Sequence, residues 1–183
     1  MTEAKADPPA EAWLRGPIEG IPAALQPVAH ALVQAGEDVE RAVAGLTAEQ
    51  LRTRPAGVAS LAFHLIHIPG AVDRLFTYAK AEPLTEEQRT ALREERDDAT
   101  REPAALVKNL HAGIDKALAC LREWPEATLA EPRKVGREGL PSTVRGLLFH
   151  AAEHAQRHAG QVIVTARLVR GLERLMVAAA PRG

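Results

Sequence analysis

Residues 142–162 read STVRGLLFHAAEHAQRHAGQV, and this stretch decides the fold class. Ser142 or Thr143 is suited to cap the start of a helix, and the apolar pattern continues to Arg170, with Gly171 as the expected C-cap. No Pro interrupts the run between these positions. We therefore predict one long helix at the end of the chain.

Composition extends this interpretation to the whole protein. The chain has 183 residues, of which 35 are Ala and only six are Phe, Trp or Tyr. Ala is the best helix former, whereas aromatic residues favour strands. No stretch alternates apolar and polar residues between tight turns as a sheet requires. The sequence predicts an all-α protein.

Three further amphipathic segments accompany the last helix, at about residues 22–45, 58–81 and 103–124. Between the second and third, Thr85 and Gln88 have the spacing of a capping box and open a short, highly charged helix. Residues 127–141 mix Pro, Gly and charges and are expected to form a loop. Together these segments predict an up-down-up-down four-helix bundle over residues 22–172. An irregular arm (1–21) precedes it and a tail (173–183) follows.

Charge and cysteine content exclude several classes of function. The formal net charge is −1, from 23 basic and 24 acidic residues. This balance argues against nucleic acid or an anionic membrane as a partner. No uncharged stretch reaches the roughly 20 apolar residues of a membrane span. The single cysteine, Cys120, excludes an intramolecular disulfide. We expect a soluble, cytoplasmic protein of one domain.

Five of the seven histidines fall in two of the predicted helices. The second helix, SLAFHLIHIPGAVDRLFTYA, carries His64 and His67, and the fourth carries His150, His154 and His158 at intervals of four. Such spacing places the last three along one helical face. Clustered buried imidazoles repel when protonated and each needs a partner, which one metal ion supplies to several at once. A metal site is therefore predicted, and its rival is a solvent-exposed polar face.

Helix geometry restricts the ligand set. His150 and His158 are about 12 Å apart along the axis, whereas two donors on one ion are at most about 4.2 Å apart. His154 therefore belongs to every set, with His158 or His150 beside it. In an up-down-up-down bundle the second and fourth helices are parallel, and His67 then matches the height of His154. His64 lies almost one turn away and is the alternate.

One short motif competes with this interpretation. The residues from His150 to His154, with Glu153 between them, match H-x-x-E-H, the signature of inverted zinc peptidases. Only 29 residues follow His154, and among them Glu173 is almost the only further ligand available. The chain is also much shorter than those peptidases. We keep Glu153 as a surface residue or a partner of a ligand.

The two histidine segments together resemble the DinB-like (YfiT-like) superfamily of bacterial four-helix proteins. The resemblance covers about residues 22–170 and depends on FHLIHIPGAVDRLFTYA followed by LLFHAAEHAQRHAGQ. It implies His67, His154 and His158 as ligands of a divalent ion of nickel or zinc type, in a homodimer. Characterised branches transfer groups to low-molecular-weight thiols such as bacillithiol, mycothiol or glutathione, which implies a thiol cosubstrate here.

Chemistry in such a site follows from its open coordination position. Three neutral imidazoles leave room for water or substrate, and a metal ion lowers the pKa of a bound thiol or water. Pocket candidates on the same helices are Arg74 for an anionic carboxylate, Tyr78 as a hydrogen-bond donor and Gln161 as an orienting residue. The functional hypothesis is a metal-dependent thiol transferase. The alternative is a non-catalytic metal- or small-molecule-binding sensor on the same scaffold.

Overall fold

The computed structural model describes residues 10–95 and 102–179, which form six α-helices and one β-hairpin. The elements in chain order are α1 (Gln26–Val43), α2 (Ala48–Arg52), α3 (Leu61–Ala79), α4 (Glu86–Glu94), α5 (Pro103–Arg122), β1 (Pro132–Val135), β2 (Leu140–Thr143) and α6 (Val144–Ala179). The four long helices α1, α3, α5 and α6 form a bundle, and α4 is the short charged helix between the second and third. The predicted four-helix bundle is confirmed.

One hydrophobic core joins the four long helices. On α5 the buried positions recur at intervals of three and four residues, as an amphipathic helix requires. Its buried residues are Leu106, Leu110, Ile114, Ala117, Leu118 and Leu121. α6 packs against α1 and α3, and α5 packs against α3 and α1, so α6 and α3 are neighbours in the bundle.

The directions of the helices correct the predicted up-down-up-down order. On α3 and α6, His64 lies against His158 and His67 lies against His154, so the chain advances on one helix as it recedes on the other. The second and fourth helices are therefore antiparallel. In contrast, α3 and α5 are parallel, because Pro69 lies at Gly113 and Asp73 binds Lys116 further along both helices. The observed order is up-down-down-up.

The physical reason for this order is the path of α4. Gln88 of α4 donates to Thr77 near the end of α3, and Glu95, just after α4, reaches back to His67. The segment therefore returns antiparallel along α3 to the end of the bundle where α3 begins. α5 starts from that end and consequently runs parallel to α3.

Three boundaries also differ from expectation. Residues 127–141, predicted as a loop, contain β1 and the first half of β2, which pair antiparallel with Pro132 opposite Thr143. α6 continues through Gly171 to Ala179, so this glycine is not a C-cap and much of the predicted tail is helical. In the arm, Ala12–Leu14 forms a 3-10 turn held to α1 by Gln34, whose side chain accepts from the Ala12 amide. Residues 1–9 and 180–183 lie outside the described residues.

No single helix among the described residues is both long and apolar enough to cross a bilayer. The segments Ala48–Gly57 and Leu61–Ala79 reach that threshold only when joined across a 95° bend.

Candidate metal centre

Helices α3 and α6 hold the histidines in place through caps and buried neighbours. Ser60 caps α3, since its hydroxyl accepts a hydrogen bond from the Phe63 amide, and Thr143 caps α6 by accepting from the Gly146 amide. On α6 a buried alanine follows each of the three histidines. These residues are Ala151, Ala155 and Ala159. Their small side chains anchor α6 in the core and leave the histidines at the border of the buried face.

The imidazoles of His67, His154 and His158 converge through their Nε2 atoms. Nε2 of His154 lies 2.9 Å from Nε2 of His67 and 3.2 Å from Nε2 of His158. One ring nitrogen of each residue lies within 4.8 Å of the other two. Two nitrogens bound to one ion at about 2.1 Å are at most about 4.2 Å apart, so both measured spacings fit a shared ion. The three side chains are half-buried and are positioned to hold a metal ion.

The outer nitrogens of the three rings differ in their partners. Nδ1 of His67 donates to Oε2 of Glu95 at 2.7 Å, which leaves the Nε2 lone pair for the cluster. Nδ1 of His158 lies 2.9 Å from Nδ1 of His64. Nδ1 of His154 is buried and has no hydrogen-bond partner among the described residues. Ligating histidines usually have such an outer partner, and two of the three have one here.

Burial favours the neutral form of the clustered imidazoles. It lowers the pKa of His154 to about 4, and the adjacent His158 and His67 add to this effect. The pKa of His64 is lowered to about 4 by the same causes, and burial also lowers the pKa of His158. The neutral imidazole is the form that binds metals. At neutral pH these rings therefore need not lose a proton before binding.

Glu95 is a site residue that sequence reasoning missed. It lies just after α4, its side chain is 6% exposed, and Arg74 contacts Oε1 at 2.6 Å as an ion pair. Burial alone raises the pKa of Glu95, but the hydrogen bond from His67 and the Arg74 guanidinium outweigh it and hold the pKa below its usual value. The sequence around Glu95 is highly charged, which is typical of a helix that faces solvent. No local pattern distinguishes this carboxylate from its exposed neighbours.

The alternate ligands lie outside the cluster. His64 is buried behind His158 and contacts the outer nitrogen of that ring. His150 is exposed and its Nδ1 lies 3.1 Å from Glu153, which also pairs with Arg157. The two histidines of the peptidase-like motif are thus divided between the cluster and the surface. Glu153 serves as a surface partner of His150.

The three pocket candidates, Arg74, Tyr78 and Gln161, lie in different environments. Arg74 is buried, and its guanidinium forms an ion pair with the Glu95 carboxylate of the same chain. Tyr78 lies about 16 Å along the helix axis from His67. There it lines a groove with Pro132 and Arg133 of the hairpin. Gln161 lies near His158, and its side chain partly opposes the effect of burial on the pKa of that imidazole.

Comparison with known families matches the region that carries this site. A family model described as the DinB superfamily matches residues 31–162, which is more than two thirds of the chain. This range includes both histidine segments and all three cluster residues. No curated protein matches the sequence.

Two solved structures share the fold. One is a conserved protein from Enterococcus faecalis, 23% identical with a TM-score of 0.66, covering 80% of this chain and 97% of its own. The other is YfiT from Bacillus subtilis, 17% identical with a TM-score of 0.62, covering 83% of this chain and 91% of its own. YfiT is described as "a probable metal-dependent hydrolase with an unusual four-helix bundle topology".

Proposed function

The chain belongs to the DinB superfamily, and from its converging imidazoles we propose that it binds a divalent metal ion through His67, His154 and His158. The observation that carries this proposal is the approach of Nε2 of His67 and Nε2 of His158 to Nε2 of His154, at 2.9 and 3.2 Å. Imidazole nitrogen suits zinc and nickel, which are also the ions that the family resemblance implies. The lowered pKa values of His154 and His158 favour binding at neutral pH.

Titration of the metal-free protein with Zn²⁺ or Ni²⁺ by calorimetry tests this proposal. One ion per chain is expected for the wild type and none for His154→Ala. His30→Ala and His111→Ala are matched controls, because His30 bonds to the Gly16 carbonyl and His111 bonds to Glu40 on other surfaces. Equal binding by His154→Ala and the wild type would show that the cluster is not the metal site.

For the reaction, we propose group transfer to a low-molecular-weight thiol. When bound, the ion would lower the pKa of the thiol, as metal ions do for bound water. The chain's own residues bring three imidazoles together, and Phe63 stacks on the His67 ring at 5.1 Å. In the reaction, sulfur bonds to an electrophilic carbon, the leaving group departs with its bonding pair, and the thiol proton passes to solvent.

Activity assays distinguish this reaction from its alternatives. Metal-loaded protein would be incubated with glutathione, bacillithiol or mycothiol and an activated aryl halide, and the remaining thiol measured. Thiol loss that a chelator abolishes supports the transferase. Hydrolysis of an activated ester without thiol would instead support the activity for which YfiT is described. Metal binding without either turnover would support the non-catalytic sensor.

Homodimer formation and a cytoplasmic location stay predictions from the sequence. A surface suited to a second copy is the apolar stripe Val164, Leu168 and Leu172, on the outer face of α6. These residues are spaced by four and are 57%, 50% and 45% exposed. Pairing two such stripes would bury apolar area that is otherwise in contact with water.

A further inference from the structure

The burial of Glu95 requires an explanation that the bundle itself does not supply. Carboxylates are almost never fully buried unless they are paired, because an ionised group loses its hydration inside a protein. Glu95 is only 4% exposed, although it lies at the end of a helix whose other residues reach solvent. We therefore expect the buried carboxylate of Glu95 to constrain the side chains that it contacts.

One of the two side chains that contact Glu95 belongs to the histidine cluster. Oε2 of Glu95 accepts a hydrogen bond from Nδ1 of His67 at 2.7 Å, and Arg74 lies 2.6 Å from Oε1. Arg74 follows His67 by seven residues, two turns along the same face of α3. The carboxylate therefore lies between the Arg74 guanidinium and the His67 imidazole.

We propose that Glu95 is a positioning residue that fixes the tautomer and orientation of His67 for metal binding. This inference deepens the proposed metal site and rests on it. An ionised carboxylate only accepts hydrogen bonds, so Nδ1 of His67 must carry a proton, and in the neutral imidazole Nε2 is then the nitrogen that keeps its lone pair. That lone pair points toward Nε2 of His154, 2.9 Å away.

His67 is the ligand for which such control matters most. His154 and His158 are one turn apart on α6, so one rigid helix sets their spacing. His67 alone comes from α3, and its Nε2 has to be aimed across the helix interface. The segment that returns along α3 supplies Glu95 for this purpose, and Gln88 of α4 supplies a separate link to Thr77 that does not touch the cluster.

The test compares Glu95→Ala, Glu95→Gln and Gln88→Ala. Zn²⁺ affinity would be measured by competition with a chelator of known affinity. Glu95→Ala should weaken binding about 10- to 100-fold, the usual effect of removing an outer partner. Glu95→Gln should lose less, because the amide oxygen can still accept from Nδ1. Gln88→Ala loosens α4 without touching His67 and should bind as the wild type does.

A second readout does not require metal. The ¹⁵N chemical shifts of the His67 ring in the metal-free protein report which nitrogen carries the proton. The wild type and Gln88→Ala should show the Nδ1–H tautomer, and Glu95→Ala should show a mixture. Unchanged affinity and tautomer in Glu95→Ala would overturn the proposal, as would equal losses in Glu95→Ala and Gln88→Ala. Failure of the wild type to bind any metal would instead overturn the proposed function, and the tautomer would still test the role of Glu95.

Discussion

At the scale of single residues, spacing along α6 determines which histidines meet. His154 is central, and His150 and His158 lie one turn to either side of it. His158 turns its Nε2 toward His154, whereas His150 is exposed and faces Glu153. Two residues of the same type at equal sequence distance from His154 therefore have different environments.

This difference gives a matched pair of variants. His158→Ala should weaken Zn²⁺ binding by more than the 10- to 100-fold typical of an outer partner, because it removes a donor atom itself. His150→Ala should leave the affinity within about twofold of the wild type, since its contacts are on the surface. Chelator competition measures both. Equal losses in the two variants would contradict the assignment of His158 as the ligand.

The three histidines of the cluster were predicted from the sequence, although the prediction assumed the wrong relative direction of two helices. His67 was aligned with His154 on the assumption of parallel helices, whereas α3 and α6 are antiparallel. The match in height survives because both residues lie near the middle of the paired segment, where reversing one helix changes little. Glu95 could not be predicted, since its role depends on a long-range contact made by an otherwise solvated helix.

At the scale of elements, the direction of α5 could not be predicted from the sequence, because it depends on how the segment containing α4 packs along α3. The start of α4 at Thr85 was predicted from its capping box and is confirmed. The capping pattern specifies where a helix begins, but it does not specify the direction in which the chain packs. The β-hairpin was not predicted for a related reason: its strands, PRKV and LPST, are only four residues long, and their sequences do not alternate apolar with polar residues.

The contacts of Asp73 on α3 with Gln88 of α4 and Lys116 of α5 predict that the stability of the protein depends on pH. Burial alone raises the pKa of Asp73, but hydrogen bonds from Lys116 and Gln88 outweigh it and hold the pKa below its usual 3.8. The contribution of Asp73 is therefore present above pH 3.8 and is lost as the pH falls through the lower value in the folded protein. Asp73→Asn should lower the free energy of unfolding by about 1 kcal/mol at pH 7. This value allows for screening by water, because the Lys116 side chain is largely exposed.

Urea unfolding between pH 7 and pH 3 measures that dependence. The difference between Asp73→Asn and the wild type should shrink as the pH falls below 3.8. Asp115→Asn, on the exposed face of α5, is the control and should change stability little at any pH. A difference for Asp73→Asn that stays constant across this range would refute the assignment.

Two glycines at helix contacts give a further prediction. A Cβ at Gly113 would lie 2.4 Å from Cβ of Pro69, part of a rigid ring within α3. A Cβ at Gly36 would lie 2.6 Å from Cδ1 of Ile114, the end of a flexible side chain. Gly113→Ala should therefore lower the free energy of unfolding by about 1–3 kcal/mol, and Gly36→Ala should lower it by less. Urea unfolding at pH 7 compares them, and the reverse ranking would contradict the close contact of α3 with α5.

At the scale of the whole molecule, a ligand that binds only the folded protein stabilises it. The free energy of unfolding should rise by about 2.7 kcal/mol at a hundredfold excess of metal over Kd. Differential scanning calorimetry with Zn²⁺ should raise the Tm of the wild type and leave that of His154→Ala almost unchanged. Equal responses of the two proteins would mean that the ion binds elsewhere.

The apolar stripe on α6 predicts an effect on assembly. Leu168→Asp places a charge at the centre of Val164, Leu168 and Leu172 and should convert a homodimer to a monomer. Sedimentation at micromolar concentrations measures the mass. Ala112→Asp, on the exposed side of α5, is the control and should leave the dimer intact. A wild type that sediments as a monomer throughout this range would refute the predicted homodimer.

The placement of the three ligands on two helices also affects how the protein comes apart. His67 and His154 are 87 positions apart in the chain, and an ion shared by them closes that segment into a ring. The ring contains α4, α5 and the hairpin, whereas α1 lies outside it. While the ion stays bound, α3 and α6 cannot separate, so partial opening has to begin elsewhere. Amide exchange in the loaded protein should accordingly be slowest in α3 and α6, and α1 should be free to detach first.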